Sequence, residues 1–220
     1  MSESKRFLLI GAVCLAVALA FDGIKCVVFN KAVQYEKRQQ KVETPVVDLE
    51  TIERAVSYRL AHHGRKLSDR DFDAIVKVIY IGHHKYGINY HDVLSMISTE
   101  SEWRKHAQGK NYKKIKGVKV LKSIDYGLTQ QNSKNLSTNY RQAARILRAA
   151  GIKYNMNDKF DVALNVMACI WYLDAIRKEI GDDYTHHRMI ASYNTGIVGY
   201  DRHPKLANAY YTRFTKMKSI

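Results

Sequence analysis

Residues 95–107, S-M-I-S-T-E-S-E-W-R-K-H-A, decide the fold that we expect for this chain. They continue an apolar run that begins at Val93 and has the spacing of the buried stripe of an α-helix. This helix would carry Glu100 in its last turn, with Ser101 beside it and Trp103 close enough to exclude water. The alternative is that Glu100 is a solvated residue at a helix end, as most single glutamates are.

A glutamate in apolar surroundings has a specific chemical use. Apolar and aromatic neighbours raise the pKa of a carboxyl group, because desolvation disfavours the charged form. A carboxylic acid that keeps its proton near neutral pH can act as a general acid. Glu100 is therefore the first candidate for a catalytic residue.

The composition predicts one core and an anionic partner. A chain of 220 residues with 46% hydrophobic content can build a sizeable core. The formal net charge of +15 favours a polyanion, such as nucleic acid, anionic lipid or an acidic cell-wall polymer, without choosing among them. Cys14, Cys26 and Cys169 form no regular framework, so stability should come from packing rather than disulfides.

The N-terminus carries an apolar segment, F-L-L-I-G-A-V-C-L-A-V-A-L-A-F at residues 7–21, directly after Lys5 and Arg6. It is shorter than the roughly 20 residues that span a bilayer. A basic start and Ala18-Leu19-Ala20 are typical of a cleavable signal, but an uncleaved anchor could extend to Phe29. We predict that residues 1–30 are a signal peptide or a membrane anchor, so that the rest works at the membrane or outside the cytoplasm.

The rest of the chain divides into a linker or helical stalk at residues 31–66 and a domain at 67–220. The stalk would contain an amphipathic helix from Asp48 to His63. Ser68 predicts the start of the next helix, Gly87 its end, and Asn89 the cap of the helix that carries Glu100.

A basic segment follows, from Arg104 to Lys122, which contains no acidic residue and alternates around Gly117. This pattern predicts a β-hairpin. Residues 123–132 then have a polar, turn-like composition. Helical patterns resume in four segments: 139–150, 158–180, 188–193 and 205–216. We therefore expect a mainly α-helical domain with one small β-hairpin element.

Four short motifs occur in order along this domain: Glu100-Ser101, D-Y-G-L-T-Q at 125–130, N-V-M-A-C-I-W-Y-L at 165–173, and S-Y-N-T-G at 192–196. Together they resemble the catalytic domain of the family 1 (Slt-type) lytic transglycosylases, in the lysozyme-like superfamily. The family pattern is E-S, G-L-M-Q, N-I-x-A-G-x-x-Y-L and A-Y-N-A-G. The resemblance covers roughly residues 70 to 215 and implies an α+β lysozyme-like fold.

The resemblance also implies roles for individual residues. Glu100 would be the single catalytic acid and base, and Ser101 and Gln130 would line the glycan cleft. Tyr193 and Asn194 would contact the substrate or hold Glu100 in place. Such enzymes cleave the β-1,4 bond between N-acetylmuramic acid and N-acetylglucosamine and leave a 1,6-anhydro end. The resemblance implies neither a metal nor another cofactor.

Asp125 leaves a second mechanism open. The string S-x-D-Y-G-x-x-Q at 123–130 also resembles the stretch of c-type lysozymes that holds their second carboxylate. A muramidase could use Glu100 together with Asp125 if the two carboxyl groups face one cleft. The favoured interpretation is that Asp125 caps the turn or the hairpin.

Three features depart from the family pattern. The span from Glu100 to Gly127 is unusually long and would place the basic hairpin at the rim of the cleft, which puts the position of Gln130 in question. Thr129 replaces a methionine, and Cys169 replaces a glycine. The two replacements should change packing without changing the acid.

Other features have simpler explanations. The basic hairpin is either a solvated loop or a surface for an anionic polymer, and its few aromatic residues make a nucleic-acid partner improbable. The histidine pairs at 62–63, 83–84 and 186–187 lack the spacing of a metal site. The late tyrosines Tyr193, Tyr200, Tyr210 and Tyr211 could stack on sugars or fill the core.

The sequence therefore predicts a peptidoglycan lytic transglycosylase in the cell envelope, exported or membrane-anchored. Its partners would be glycan strands, a membrane through the N-terminal segment, and a virion or secretion assembly in which it opens the wall locally. A muramidase is the enzymatic alternative. From another class, the alternative is a structural component of such an assembly that binds wall or membrane without catalysis.

Overall fold

Helices form 64% of residues 47–220, the part of the chain that this computed structural model describes. This confirms the mainly α fold class with a small β element. The eight α-helices and three strands of the described part are α1 Leu49–His62, α2 Asp69–Tyr86, α3 Tyr90–Ser101, β1 Gln108–Ile115, β2 Val118–Tyr126, β3 Gln131–Asn132, α4 Leu136–Ala149, α5 Val162–Ile180, α6 His186–Thr195, α7 Ile197–Arg202 and α8 Pro204–Lys218.

The first helix boundaries agree with the sequence signals. The side chains of Ser68 and Asn89 accept hydrogen bonds from the backbone N–H groups of Asp71 and His91, which caps α2 and α3. Gly87 ends α2 in the left-handed conformation, with φ of 61°. Both predicted caps and the predicted end are confirmed.

Helix α5 is the centre of the core, because its side chains are buried on almost every face. It packs against α2, α4 and α6. The approach of α2 is close at Gly82, where a Cβ atom would lie 2.6 Å from Ile170 Cδ1. A larger residue at this position would push α2 away from the core.

Three later boundaries differ from the prediction. The helix expected at 158–180 begins at Val162, because the side chain of Asp161 accepts from Leu164 N–H and caps the helix there. The helix expected from residue 139 already begins at Leu136, and the segment 188–193 lies inside the longer α6. The short helix α7 was not predicted.

The predicted hairpin is present, but the sheet is larger than expected. Its strands lie in the order β1-β2-β3 and are antiparallel, and Lys116 and Gly117 form the turn between β1 and β2. The expectation that residues 123–132 are a turn was wrong in part, since 123–126 continue β2 and 131–132 form β3. These strands are polar because their side chains bond one another rather than pack into the core.

Helix α1 falls within the segment predicted as a stalk. Its residues Ile52 and Val56 are buried, and the Arg59 side chain donates to the carbonyl of Met217 at the end of α8. The boundary at residue 66 stays a prediction, and the expected signal peptide or anchor at 1–30 lies outside the described residues. None of the helices between residues 47 and 220 has the length and apolar character needed to cross a membrane.

Candidate active site

Glu100 lies in the last turn of α3, as the sequence predicts, and its side chain is half-buried. Burial, with a smaller contribution from the negative charge of Asp125, raises the pKa of Glu100 from 4.5 to about 7. A hydrogen bond from Tyr210 and the positive charge of Arg213 act in the opposite direction. Glu100 can therefore hold a proton near neutral pH and still be stable after losing it.

Tyr210 provides the direct contact to this carboxyl group. Its hydroxyl donates to Glu100 Oε1 and also lies 2.8 Å from Met96 Sδ. The sequence pattern places Tyr210 among several late tyrosines and gives no sign of its contact with Glu100. Ala207, Tyr210 and Phe214 are spaced as the buried stripe of α8, and a buried tyrosine hydroxyl needs a hydrogen-bond partner. That signal could have identified a tyrosine that bonds a buried polar group.

Trp103 follows the C-terminal end of α3, and its closeness to Glu100 stays a prediction. It is buried, and its indole N–H donates to Ser98 Oγ at 2.9 Å, which fixes the end of α3. Glu102 and Trp103 both have left-handed backbones, with φ of 51° and 63°. This conformation is costly for non-glycine residues and is held here by the burial of the indole. Trp103 therefore ends the helix one turn after Met96 and leaves Glu100 in its last turn.

Asp125 lies on β2, where it is paired with Gly109 of β1 and Asn132 of β3. Its carboxylate accepts from Asn111 Nδ2 at 2.7 Å and from Asn132 Nδ2 at 2.6 Å. The favoured prediction of a turn-capping aspartate is therefore wrong, because Asp125 is a strand residue whose carboxylate bonds side chains of both neighbouring strands.

Gln130 occupies the turn between β2 and β3 with a left-handed backbone, φ of 51°. Its Nε2 donates to the carbonyl of Gly127 at 2.8 Å. The backbone of β1 packs directly on this side chain, since a Cβ atom at Gly109 would lie 2.8 Å from Gln130 Oε1. Gln130 thus lines the cleft, and the base of the hairpin packs against it.

Asn165, the first residue of the third motif, lies on α5 and holds this turn by hydrogen bonds. Its Oδ1 accepts from Thr129 N–H at 2.7 Å, and its Nδ2 donates to the carbonyl of Tyr126 at 2.9 Å. The Thr129 hydroxyl donates to the carbonyl of Asn165 at 3.0 Å. Gly127 must be glycine, because its φ is 78° and a Cβ atom would lie 2.5 Å from Asn165 Nδ2.

Tyr193 joins α6 to the same turn. Its hydroxyl donates to the carbonyl of Thr129 at 2.8 Å and accepts from Gln131 Nε2 at 2.9 Å. Burial raises the pKa of Tyr193 well above its usual value, so the hydroxyl stays neutral. Asn194, the next residue, is exposed. Tyr193 therefore supports the turn from within, and Asn194 is free to reach a ligand.

Glu100, Asp125, Gln130, Tyr193 and Asn194 line one cleft of about 450 Å³. Ser101 is not part of it, because this residue is buried and its hydroxyl donates to the carbonyl of Ile97 within α3. A more open concavity of about 610 Å³, near Arg70 and Arg148, contains no carboxylate and offers no acid. The cleft residues are Glu100, Asn111, Tyr112, Lys122, Ser123, Asp125, Gln130, Asn132, Tyr193 and Asn194.

Comparison with known protein families gives an assignment that agrees with this geometry. Residues 77–212 match the family described as "Transglycosylase SLT domain", and this range includes every residue of the cleft. The chain belongs to this family. No curated protein that was compared with the chain matches it.

Membership of the SLT family gives the chain a lysozyme-like lytic transglycosylase domain. Domains of this family cleave glycans, and their substrate is the peptidoglycan of the cell envelope. The matched range begins inside α2, so α1 lies outside it.

The two replaced family positions both lie behind the cleft of the SLT domain. Thr129 is buried and bonds Asn165, and Cys169 is a buried free cysteine on α5. Burial raises the pKa of Cys169 to about 12, so its thiol stays protonated. Both residues support the turn and the core rather than the substrate.

The histidine pairs contribute no metal centre in the described part of the SLT domain and its flanks. Residues 47–220 contain no cluster of three His, Cys, Asp or Glu side chains that could bind a metal ion. His186 instead contacts the buried Asp92 at 2.9 Å, and His187 contacts the hydroxyl of Tyr200 at 2.9 Å. These histidines connect helices away from the cleft.

Proposed function

We propose that this SLT domain is a peptidoglycan lytic transglycosylase in which Glu100 serves first as acid and then as base. The observation that carries the proposal is the state of Glu100. It is half-buried in the cleft, has a pKa raised to about 7, and accepts a hydrogen bond from Tyr210. An efficient acid-base catalyst needs a pKa close to the working pH.

In the first step, the Glu100 proton passes to the glycosidic oxygen between N-acetylmuramic acid and N-acetylglucosamine. The bond from this oxygen to the anomeric carbon of the muramic acid breaks, and the 2-acetamido group of the same sugar stabilises the positive charge. In the second step, the Glu100 carboxylate accepts the proton of the C6 hydroxyl. Oxygen O6 then bonds to the anomeric carbon, which closes the 1,6-anhydro ring and returns Glu100 to its protonated form.

Tyr210, which bonds Glu100, and the remaining cleft residues have supporting roles in this proposal. The Tyr210 hydroxyl stabilises the Glu100 carboxylate between the two steps, because a hydrogen bond to the charged form favours that form. Gln130, Asn194 and Asp125 contact sugar hydroxyl or acetamido groups, and Tyr193 holds the turn that carries Gln130. Ser101 acts within α3 rather than on the substrate.

The test is the chemistry of the new chain ends. Purified peptidoglycan digested by the full-length protein should give 1,6-anhydro-muramic ends, measured by mass spectrometry of the released fragments. The Glu100→Gln variant should bind the same peptidoglycan in a sedimentation assay and release no fragments. Binding without cleavage by the wild-type protein would refute the proposal and favour the structural-component alternative.

A hydrolytic reaction is the second candidate, and one observation favours it. Asp125 lines the same cleft as Glu100, and two amide groups hold its carboxylate in place. In paired mechanisms, a second carboxylate stabilises the positive charge, forms a covalent intermediate or activates water. Free reducing ends in the same digestion would identify this outcome, and an Asp125→Asn variant should then be as inactive as the Glu100→Gln variant.

We also propose that the enzyme is exported or anchored and opens the wall locally, within a phage particle or a secretion machine. The support is the apolar segment at residues 7–21, the net charge of +15 and the presence of a single matched catalytic domain. Mass spectrometry of the mature N-terminus would distinguish a cleaved signal from a retained anchor. An intact chain found only in the cytosolic fraction would contradict both.

A further inference from the structure

The β1–β2 hairpin supplies one wall of the cleft with positive charge. Tyr112 and Lys122, both exposed, line the same cleft as the carboxyl groups of Glu100 and Asp125. The segment from Arg104 to Lys122 contains no acidic residue. The cleft therefore contains the two carboxyl groups of the proposed chemistry, here called its acidic end, and basic hairpin residues, here called its basic wall, that this chemistry does not use.

A β-bulge places Lys122 in this wall. Asn111 is paired with Ser123, but the next residue, Tyr112, is paired with Leu121, so Lys122 has no partner on β1. A bulge bends its strand locally and re-aims a side chain. Without it, strand alternation would continue through Lys122, and its contribution to the cleft wall would change.

The positive charge of this wall is not neutralised from within. In the part of the chain from residue 47 to 220, no ion pair joins Lys122 or Lys119 to a carboxylate. The Lys119 ammonium lies 4.3 Å from the centre of the Tyr112 ring, a cation–π contact that holds it beside the cleft wall. Two ammonium groups thus accompany one aromatic ring at the edge of the cleft.

The base of the hairpin is fixed relative to the reactive end. Asn111 donates to Asp125, and the backbone at Gly109 packs on Gln130. The backbone that carries Lys122 consequently has a defined position with respect to Asp125 and Gln130. A substrate bound at the acidic end would therefore present its substituents to the same wall each time.

We propose that the wall formed by Lys122, Lys119 and Tyr112 binds an anionic substituent of the glycan strand. The inference rests on the proposed function. The sugar rings near Glu100 carry no charge, whereas peptide stems carry carboxylates, and some wall polymers add phosphodiesters. Both groups are oxyanions that a lysine ammonium binds by charge-assisted hydrogen bonds. The hairpin thus selects charged, substituted glycan over neutral glycan.

The experiment compares three wall preparations as substrates for the full-length protein. The first carries both kinds of anion, the second has its peptide carboxylates amidated to neutral amides, and the third has its phosphodiester polymers removed by acid. The variants are Lys122→Gln, Lys122→Arg and, as a matched control, Lys113→Gln. Lys113 is exposed on the same hairpin, does not line the cleft, and directly follows Tyr112 on β1, so strand alternation places its side chain on the opposite face. The measured quantity is the ratio of kcat/KM on the first wall to kcat/KM on each modified wall.

Lys122→Gln should lower one of these ratios about five-fold, mainly through KM, the effect expected when one exposed ion pair is lost. Lys122→Arg should restore it, and Lys113→Gln should keep the wild-type value. Loss of discrimination against the amidated cell-wall preparation identifies the peptide carboxylate as the bound group. Loss of discrimination against the acid-treated preparation identifies the phosphodiester. Unchanged ratios in Lys122→Gln, or an equal loss in Lys113→Gln, would overturn the inference. A wild-type protein that cleaves none of the walls would instead refute the proposed function.

Discussion

The two sides of the cleft each carry a carboxyl group, and the surroundings of these two groups differ. On the helical side, Glu100 is surrounded by buried residues and accepts one hydrogen bond from Tyr210, and its pKa rises to about 7. On the sheet side, Asp125 accepts hydrogen bonds from two amide groups, those of Asn111 and Asn132. Desolvation favours the neutral acid at Glu100. The surroundings of the two carboxyl groups, and not their chemical class, therefore distinguish the two sides.

The two sides also differ in how they are held. Helix α3 packs against α8 and contacts the central helix α5, so Glu100 belongs to the core of the domain. The strands that carry Asp125 are connected mainly by backbone pairs and side-chain amides, and their outer residues are exposed. A change on the helical side should therefore affect catalysis and stability together. A change on the sheet side should mainly affect substrate selection.

The largest expected effect comes from replacing the Glu100 carboxyl group on the helical side. Glu100→Gln should lower kcat by about 10²–10⁴-fold, the contribution expected of a general acid. Glutamine can still accept the Tyr210 hydrogen bond, so the fold should be retained. Release of soluble fragments from labelled peptidoglycan measures the loss, and circular dichroism checks the fold.

Glu102 offers a matched control for this substitution. It lies two residues further on, is exposed and does not line the cleft. Glu102→Gln should keep the wild-type rate. Substantial cleavage by Glu100→Gln would mean that Glu100 is not the acid, and the contrast between the two carboxyl groups would lose its functional meaning.

Removal of the Tyr210 hydroxyl should have the next largest effect. Tyr210→Phe should lower kcat by about ten-fold, since hydrogen bonds to charged groups contribute roughly 1.5–3 kcal/mol. The bond from Tyr210 lowers the pKa of Glu100, so its loss raises this pKa. Because the acid must be protonated, the alkaline limb of the kcat/KM profile should move to higher pH.

Tyr211→Phe is the control for this variant, because the Tyr211 hydroxyl contacts His186 and not Glu100. Its pH profile should match the wild type. An alkaline limb that stays in place in Tyr210→Phe would show that the limb does not report Glu100.

Asp125→Asn probes the sheet side and should shift the same limb in the opposite direction. Asp125 raises the pKa of Glu100 through its negative charge, so the variant should lower this pKa and move the limb to lower pH. In a transglycosylase, the rate should fall by less than about ten-fold, because the second carboxylate takes part in no proton transfer. A loss as large as that of Glu100→Gln, measured in the same assay, would favour the paired hydrolytic mechanism.

Sequence reasoning predicted the helical side better than the sheet side. The caps at Ser68 and Asn89 are local signals, readable within a few residues, and both are confirmed. The position of Glu100 follows from the apolar spacing of α3. The contact with Tyr210 joins residues far apart in the chain, and no local sequence pattern indicates that α8 packs beside the end of α3.

The sheet side was harder to predict because its stability does not depend on apolar alternation. Residues 123–126 form strand β2 with little burial, held by pairing with β1 and by the amides around Asp125. A polar strand of this kind has the composition of a turn. Ser101 shows the reverse error, since the motif placed it in the cleft, whereas the rotation of α3 turns its hydroxyl into the helix.

The smallest expected effect concerns stability and tests the cost of burying Glu100. Below a pH of about 4.5 the carboxyl group is protonated in the folded and the unfolded chain. The wild-type protein and the Glu100→Gln variant should therefore be equally stable there. Between this pH and about 7 the unfolded chain loses the proton first, so the folded state is progressively destabilised, and above about 7 the cost stays constant. Glu100→Gln removes this cost and should raise Tm by a few degrees at pH 8, since 1 kcal/mol corresponds to roughly 2–4 °C in a domain of this size. Calorimetry of both full-length proteins at pH 4.5 and 8 measures the difference. An equal Tm difference at the two pH values would mean that the Glu100 carboxylate is not destabilised by its surroundings, and the two sides of the cleft would no longer differ in the way described.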